Sequence, residues 1–134
     1  MRWDIPCLLY TDNTLVFRYG FSDGGHSHPD RLSVTLHNGE KEILTDCGTY
    51  SYAQPAYLGW QKRGLSHNLV LVDGQDMQIR GAKTAGRLLS FDPDKNGGVA
   101  SAVLDNNGYP GVKLTRTVKL DRNKFIDRFE AQSE

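Results

Sequence analysis

Cysteine is scarce here. Cys7 and Cys47 are the only two in 134 residues, too few for a disulfide framework and wrongly spaced for a zinc ribbon. Two separate thiols are the simpler reading, although pairing stays open. Charge of one sign is not in excess, because 16 Lys and Arg balance 16 Asp and Glu. The basic residues are scattered, so the electrostatic footprint of a nucleic-acid or anionic-membrane binder is missing. No apolar run approaches the roughly 20 residues that a membrane-spanning helix needs. Sustained 3.6-residue periodicity is absent too, and fourteen glycines argue against helices. Neither nucleic acid nor membrane is therefore expected as a partner.

What is present is a series of short apolar or alternating runs between turn signals. Residues 14–19, 31–37, 41–45, 67–72, 87–91, 99–104, 112–120 and 125–131 read as strands. Asn38-Gly39 suggests a hairpin with positive φ at both central residues. Asp73-Gly74, Asp94 to Gly98, Asp105 to Gly108 and Asp121 to Asn123 punctuate the later runs. The pattern predicts an all-β fold, an antiparallel β-sandwich of about 8–10 strands. Residues 51–64 form the longest stretch with no strand pattern and carry Tyr52, Tyr57 and Trp60; loops of that length are often functional. The length suits a single domain, residues 1–134.

The most informative stretch is Gly24-Gly25-His26-Ser27-His28-Pro29-Asp30. In an extended segment, residues two apart share a face, so both imidazoles are able to converge on one ion or one anionic group. Downstream, Asp46 ends a strand and His67 begins another. His28, Asp46 and His67 would make a His-Asp-His donor set, which suits zinc and leaves a position for water. Spacing alone does not separate that site from three polar residues at loop ends. Gly20 followed by His26-Ser27-His28 also matches the opening of a cupin metal motif. That motif wants a Glu where this chain has Leu32 or Ser33, so its ligand set is broken.

Taken in order, the segments resemble the heparinase II/III-like family of polysaccharide lyases. The resemblance rests on Gly24 to Asp30, then Ile43-Leu44-Thr45-Asp46-Cys47-Gly48-Thr49-Tyr50-Ser51-Tyr52, then Ser66-His67-Asn68-Leu69-Val70-Leu71-Val72-Asp73-Gly74. Lys113 to Val118 and Asp127-Arg128-Phe129 also fit. Three motifs in order, over roughly residues 14–130, are more specific than any one of them. The family commonly has Pro or Ala at the position of Cys47.

The resemblance implies a β-sandwich domain that is a fragment of a longer two-domain lyase, lacking its N-terminal α/α toroid. It implies a structural zinc on His28, Asp46 and His67. It gives catalytic roles to His26, which would face the substrate, and to Tyr57, with Tyr50 or Tyr52 as alternatives for the same tyrosine. Tyr52, Trp60 and Arg63 are candidate substrate-binding residues. The implied substrate is an acidic polysaccharide containing uronic acid, cleaved by β-elimination, and the implied location is periplasmic or secreted in bacteria. The domain alone is expected to be inactive. The alternatives are a non-catalytic carbohydrate-binding sandwich and a cupin-like metal domain. To divide labour between His26 and His28, the backbone would have to bend at Gly24 and Gly25.

Overall fold

The computed structural model describes residues 5–20, 27–79, 85–122 and 124–133, with backbone only at 106. Among these residues the fold is all-β, with eight strands in two four-stranded antiparallel sheets. β1 (Cys7–Tyr10), β2 (Asn13–Arg18), β3 (Ser33–Asn38) and β4 (Lys41–Leu44) form one sheet in chain order. β5 (Arg87–Asp94), β6 (Gly97–Tyr109), β7 (Val112–Asp121) and β8 (Lys124–Ser133) form the other, again in chain order. Each sheet is thus a meander in which every strand pairs with its sequence neighbour.

Alternation explains which faces meet. Leu15 and Phe17 of β2 and Val34 and Leu36 of β3 point into the same core as Leu8 of β1. From the second sheet come Ala100, Ala102 and Leu104 of β6 and Leu114, Val118 and Leu120 of β7. Fully burying one Leu or Phe contributes about 1.5–3 kcal/mol, so these inward faces supply the main attraction between the sheets. Cys7 and Cys47 are both free and exposed, so the two do not pair. Among the described residues, no helix is long and apolar enough to cross a membrane.

Four local expectations change. The β3–β4 hairpin has Gly39 and Glu40 at its centre, because Asn38 still pairs with Lys41. Of those two only Gly39 has positive φ (+55°), as in turns with glycine first. Asp105 to Gly108 does not end a strand. β6 passes through it as an irregularity between the Asp105–Lys113 and Tyr109–Val112 rungs, because β7 holds both sides. A side chain at 108 would strike Leu104 Cδ2 at 2.2 Å, which explains the glycine. Residues 67–72 are not a strand; only Val72 bridges to Gln75, across the Asp73-Gly74 turn. Lastly, Cys7–Tyr10 is a strand that its unalternating Leu-Leu pair did not announce. Gly24 and Gly25 lie outside the described residues.

Candidate metal and glycan site

The site sits where the short sheet gives way to loops. The segment 27–32 arrives ahead of β3 and is buried throughout. Asp30 within it pairs with Arg18 on β2, and the Asp30 carbonyl accepts the Ser33 N–H at 3.1 Å. The Asp of the opening motif is therefore an anchor that fixes His28 against the sheet.

His28 and His67 meet inside the protein. His28 Nδ1 lies 3.3 Å from His67 Nε2, and His67 Nδ1 lies 2.7 Å from Asp46 Oδ2. The other carboxylate oxygen of Asp46 accepts the Gly48 N–H at 2.9 Å, in a turn where Gly48 has φ +56°. At the far end, Thr49 Oγ1 lies 3.1 Å from His28 Nε2. One proton arrangement satisfies this whole line. Asp46 accepts from His67 Nδ1–H, His67 Nε2 accepts from His28 Nδ1–H, and His28 Nε2 accepts from the Thr49 hydroxyl. Burial, and then the neighbouring His67, push the His28 imidazole below its usual range, which favours this neutral state. Burial works to raise the Asp46 carboxyl. The hydrogen bonds from His67 and from the Gly48 N–H outweigh it, and the net direction is down.

Asn68 explains why its segment is not a strand. Its Nδ2 donates to Val34 O at 3.1 Å and Thr45 O at 2.7 Å. A side chain thus bonds the end of the first sheet where a backbone ladder would otherwise run. Upstream, Asp76 accepts the Gly64 N–H at 2.7 Å and pairs with Arg63 Nε. A Cβ at Gly64 would meet Leu71 Cδ2 at 2.7 Å, so a side chain there would require Leu71 to move aside.

The aromatic loop has an inner and an outer layer. Tyr57 opens a single π-type turn (Tyr57–Gln61) and is only 5% exposed. Its ring meets His28 and Tyr52 edge-on, with centroids 6.1 and 4.8 Å away, while Lys62 Nζ lies over it at 5.5 Å. Tyr57 thus packs the loop onto His28. The tyrosines open to a polymer are Tyr50 (83% exposed) and Tyr52 (58%), accompanied by Trp60. Arg63 is half exposed, but its Nε is committed to Asp76. His26 lies outside the described residues. Thr49 lies inside the second motif, which gives it no role, and Lys62 belongs to the cluster without any motif marking it.

Two imidazoles and a carboxylate are zinc donors by type. Donors about 2.0–2.1 Å from a tetrahedral ion stand about 3.3–3.4 Å apart, and the His28 and His67 nitrogens are 3.3 Å apart. Asp46, however, holds the opposite nitrogen of His67, the outer position of a carboxylate–histidine pair. Among the described residues no three His, Cys, Asp or Glu side chains form a group able to hold a metal ion. The donor types and their separation suit zinc, but the two nitrogens face each other along one hydrogen bond, so holding an ion would require the rings to turn, and a third ligand from Asp46 would require its carboxylate to turn as well.

Solved structures with the same fold include the following two. One is the heparinase III BT4657 gene product, with TM-score 0.72 and 24% identity, covering 92% of this chain. The other is heparan sulfate lyase HepC from Pedobacter heparinus, with TM-score 0.76 and 21% identity, covering 91%. This chain spans only 19% of the length of each. No curated protein sequence matches it. The family model described as heparinase II/III-like, C-terminal, matches residues 8–133, and the chain belongs to that family.

Proposed function

We propose that this chain is the β-sandwich domain of a polysaccharide lyase that cleaves a uronic-acid-containing glycan by β-elimination, together with an N-terminal α/α toroid. The observation that carries the reading is the buried His28–His67 pair, with the partly exposed Asp46 on His67, packed beneath Tyr57 of an exposed aromatic loop, within a domain of this family. The names of the similar structures, a heparinase and a heparan sulfate lyase, support an acidic glycan as substrate. The natural setting of such an enzyme is periplasmic or secreted.

The chemistry sets the roles. The proton beside a uronate carboxylate is weakly acidic, so the carboxylate must be neutralised as the enolate-like transition state forms. His26 supplies that donor. A base then removes the proton, and an acid protonates the leaving glycosidic oxygen. Tyr50 or Tyr52 presents the phenol on this side of the cleft, Trp60 offers a stacking face, and Tyr57 supports them from below. Zinc, held by His28 and His67 with Asp46, would cross-link the loops that carry these groups. Its contribution is structural.

The test is paired. The whole protein should release unsaturated uronate product from heparan sulfate, heparin, alginate or hyaluronan, and this domain alone should release none. His26→Ala should lower kcat about 10²–10³-fold, the scale of losing one transition-state donor. Stoichiometric zinc should be present and lost in His67→Ala. Product from the isolated domain would overturn the division between domains. Glycan binding without cleavage by the whole protein would favour the second reading, a carbohydrate-binding sandwich, which the exposure of Tyr50, Tyr52 and Trp60 supports.

A further inference from the structure

We propose that Arg116, on β7 of the opposite sheet, is the positioning residue that sets the spacing of the His28–His67 pair. Its guanidinium is buried, at 5% exposure. A single nitrogen, Nη1, donates to two carbonyls, Leu32 O at 2.6 Å and Asn68 O at 2.5 Å. Leu32 lies four residues beyond His28 in the buried segment, and Asn68 directly follows His67. One planar donor therefore bridges the two histidine-bearing segments. Through the Asn68 side chain the bridge extends to Thr45 O, beside Asp46.

The arginine is itself held. Nε and Nη2 form a two-point pair with Asp127 Oδ1 and Oδ2 at 2.8 and 2.6 Å, and the Phe129 ring lies 5.5 Å from the guanidinium carbon. This fork geometry fixes the direction of Nη1, which an ammonium on a flexible stem does not reproduce. Backbone strain at the target points the same way. Leu32 has φ +63°, a left-handed conformation that a bulky residue adopts at a cost of about 1–3 kcal/mol and only when its surroundings impose it. The Arg116 hydrogen bond to the Leu32 carbonyl is one such constraint. A sandwich core does not require a buried cation joined to two loop carbonyls, whereas a histidine pair held at a fixed separation does need its two loops tied together.

The experiment compares Arg116→Lys with Val118→Ala in the whole protein. Val118 is a buried core residue on the same strand that contacts neither carbonyl by hydrogen bond, so its truncation reports general loosening. The first readout is the imidazole nitrogen spectrum of histidine-labelled, metal-free protein. Wild type should show His28 and His67 each as a single Nδ1–H tautomer. Arg116→Lys should show the averaged tautomers of unpinned rings, and Val118→Ala should look like wild type. The second readout is zinc affinity, which rests on the proposed metal and should fall about ten- to a hundredfold in Arg116→Lys. A wild type that takes up no zinc removes that metal but leaves the spectrum to decide the role of Arg116. If Arg116→Lys does not fold, Asp127→Asn, which releases the guanidinium without deleting it, should give the same spectral change. Wild-type spectra in the folded variant, or the same change in Val118→Ala, would overturn the proposal.

Discussion

β5 to β8 run from eight to thirteen residues, and β7 and β8 pair at every rung from Val112–Ser133 to Asp121–Lys124. β1 to β4 run only four to six residues, and beyond β4 the chain travels through turns to Ile79. The two regions satisfy their backbones differently. In the long sheet, main chain bonds main chain. Around the short sheet, side chains take over much of that work: Asp46 bonds the Gly48 N–H, Asp76 the Gly64 N–H, Asn68 two carbonyls and Arg116 two more. A ladder is indifferent to side-chain identity at most positions, while a loop held by side chains is not. The long sheet is thus held by a ladder largely independent of sequence, and the loops around the short sheet by particular side chains.

That contrast breaks most severely at Leu114, fully buried on β7. Leu114→Ala should destabilise by about 2–5 kcal/mol, read as a shift in urea unfolding, yet leave the His28 and His67 imidazole signals in place. A change at the histidines of equal size to that in the core would erase the distinction. Asn68→Ala should do the reverse. Stranding the Val34 and Thr45 carbonyls should cost about 1–3 kcal/mol, with the larger effect seen in the imidazole spectrum and in hydrogen exchange of residues 43–49.

The smallest effect is that of pH. Because the His28 imidazole is pushed down in the folded protein, the unfolded chain binds its proton first as pH falls. Stability at this residue is therefore complete above about 6.5 and declines from there toward the lower folded value. One group limits the slope to about 1.4 kcal/mol per pH unit. Asp46 acts lower. Its net downward shift gives stability present above the usual carboxylate value and lost as pH falls through the folded one. Urea midpoints between pH 7 and 5 should slope in wild type and flatten in His28→Gln; equal slopes would assign the effect to the rest of the molecule.

How much was legible follows the same division. Alternation revealed β2, β3 and β7 because each has one face in the core, as with Leu114, Val118 and Leu120. The histidines and Asp46 were legible as a set because three motifs occur in order. Their connectivity was not, since the two nitrogens of His67 have different partners and nothing in a residue list distinguishes them. Residues 67–72 looked like a strand because their apolar pattern is one. What displaced it was the Asn68 side chain, whose carbonyl partners lie 34 and 23 residues upstream. Arg116 was hidden for a related reason. Within an alternating strand it occupies an inward position where the pattern calls for an apolar residue, and its Asp127 pair together with the Leu32 and Asn68 carbonyls makes that tolerable.

The meander topology has a temporal consequence. Every ladder joins sequence neighbours, so each sheet needs only local chain closures and is able to zip up soon after its residues leave the ribosome. The histidine pair follows another clock. Arg116 lies 48 residues beyond Asn68, and at about 5–20 residues per second it emerges seconds after both histidines have been made. During that interval the first sheet has its hairpins but lacks the bridge between its loops. The histidine pair thus waits for Arg116 before its two segments are bridged, although both histidines are made well before that strand.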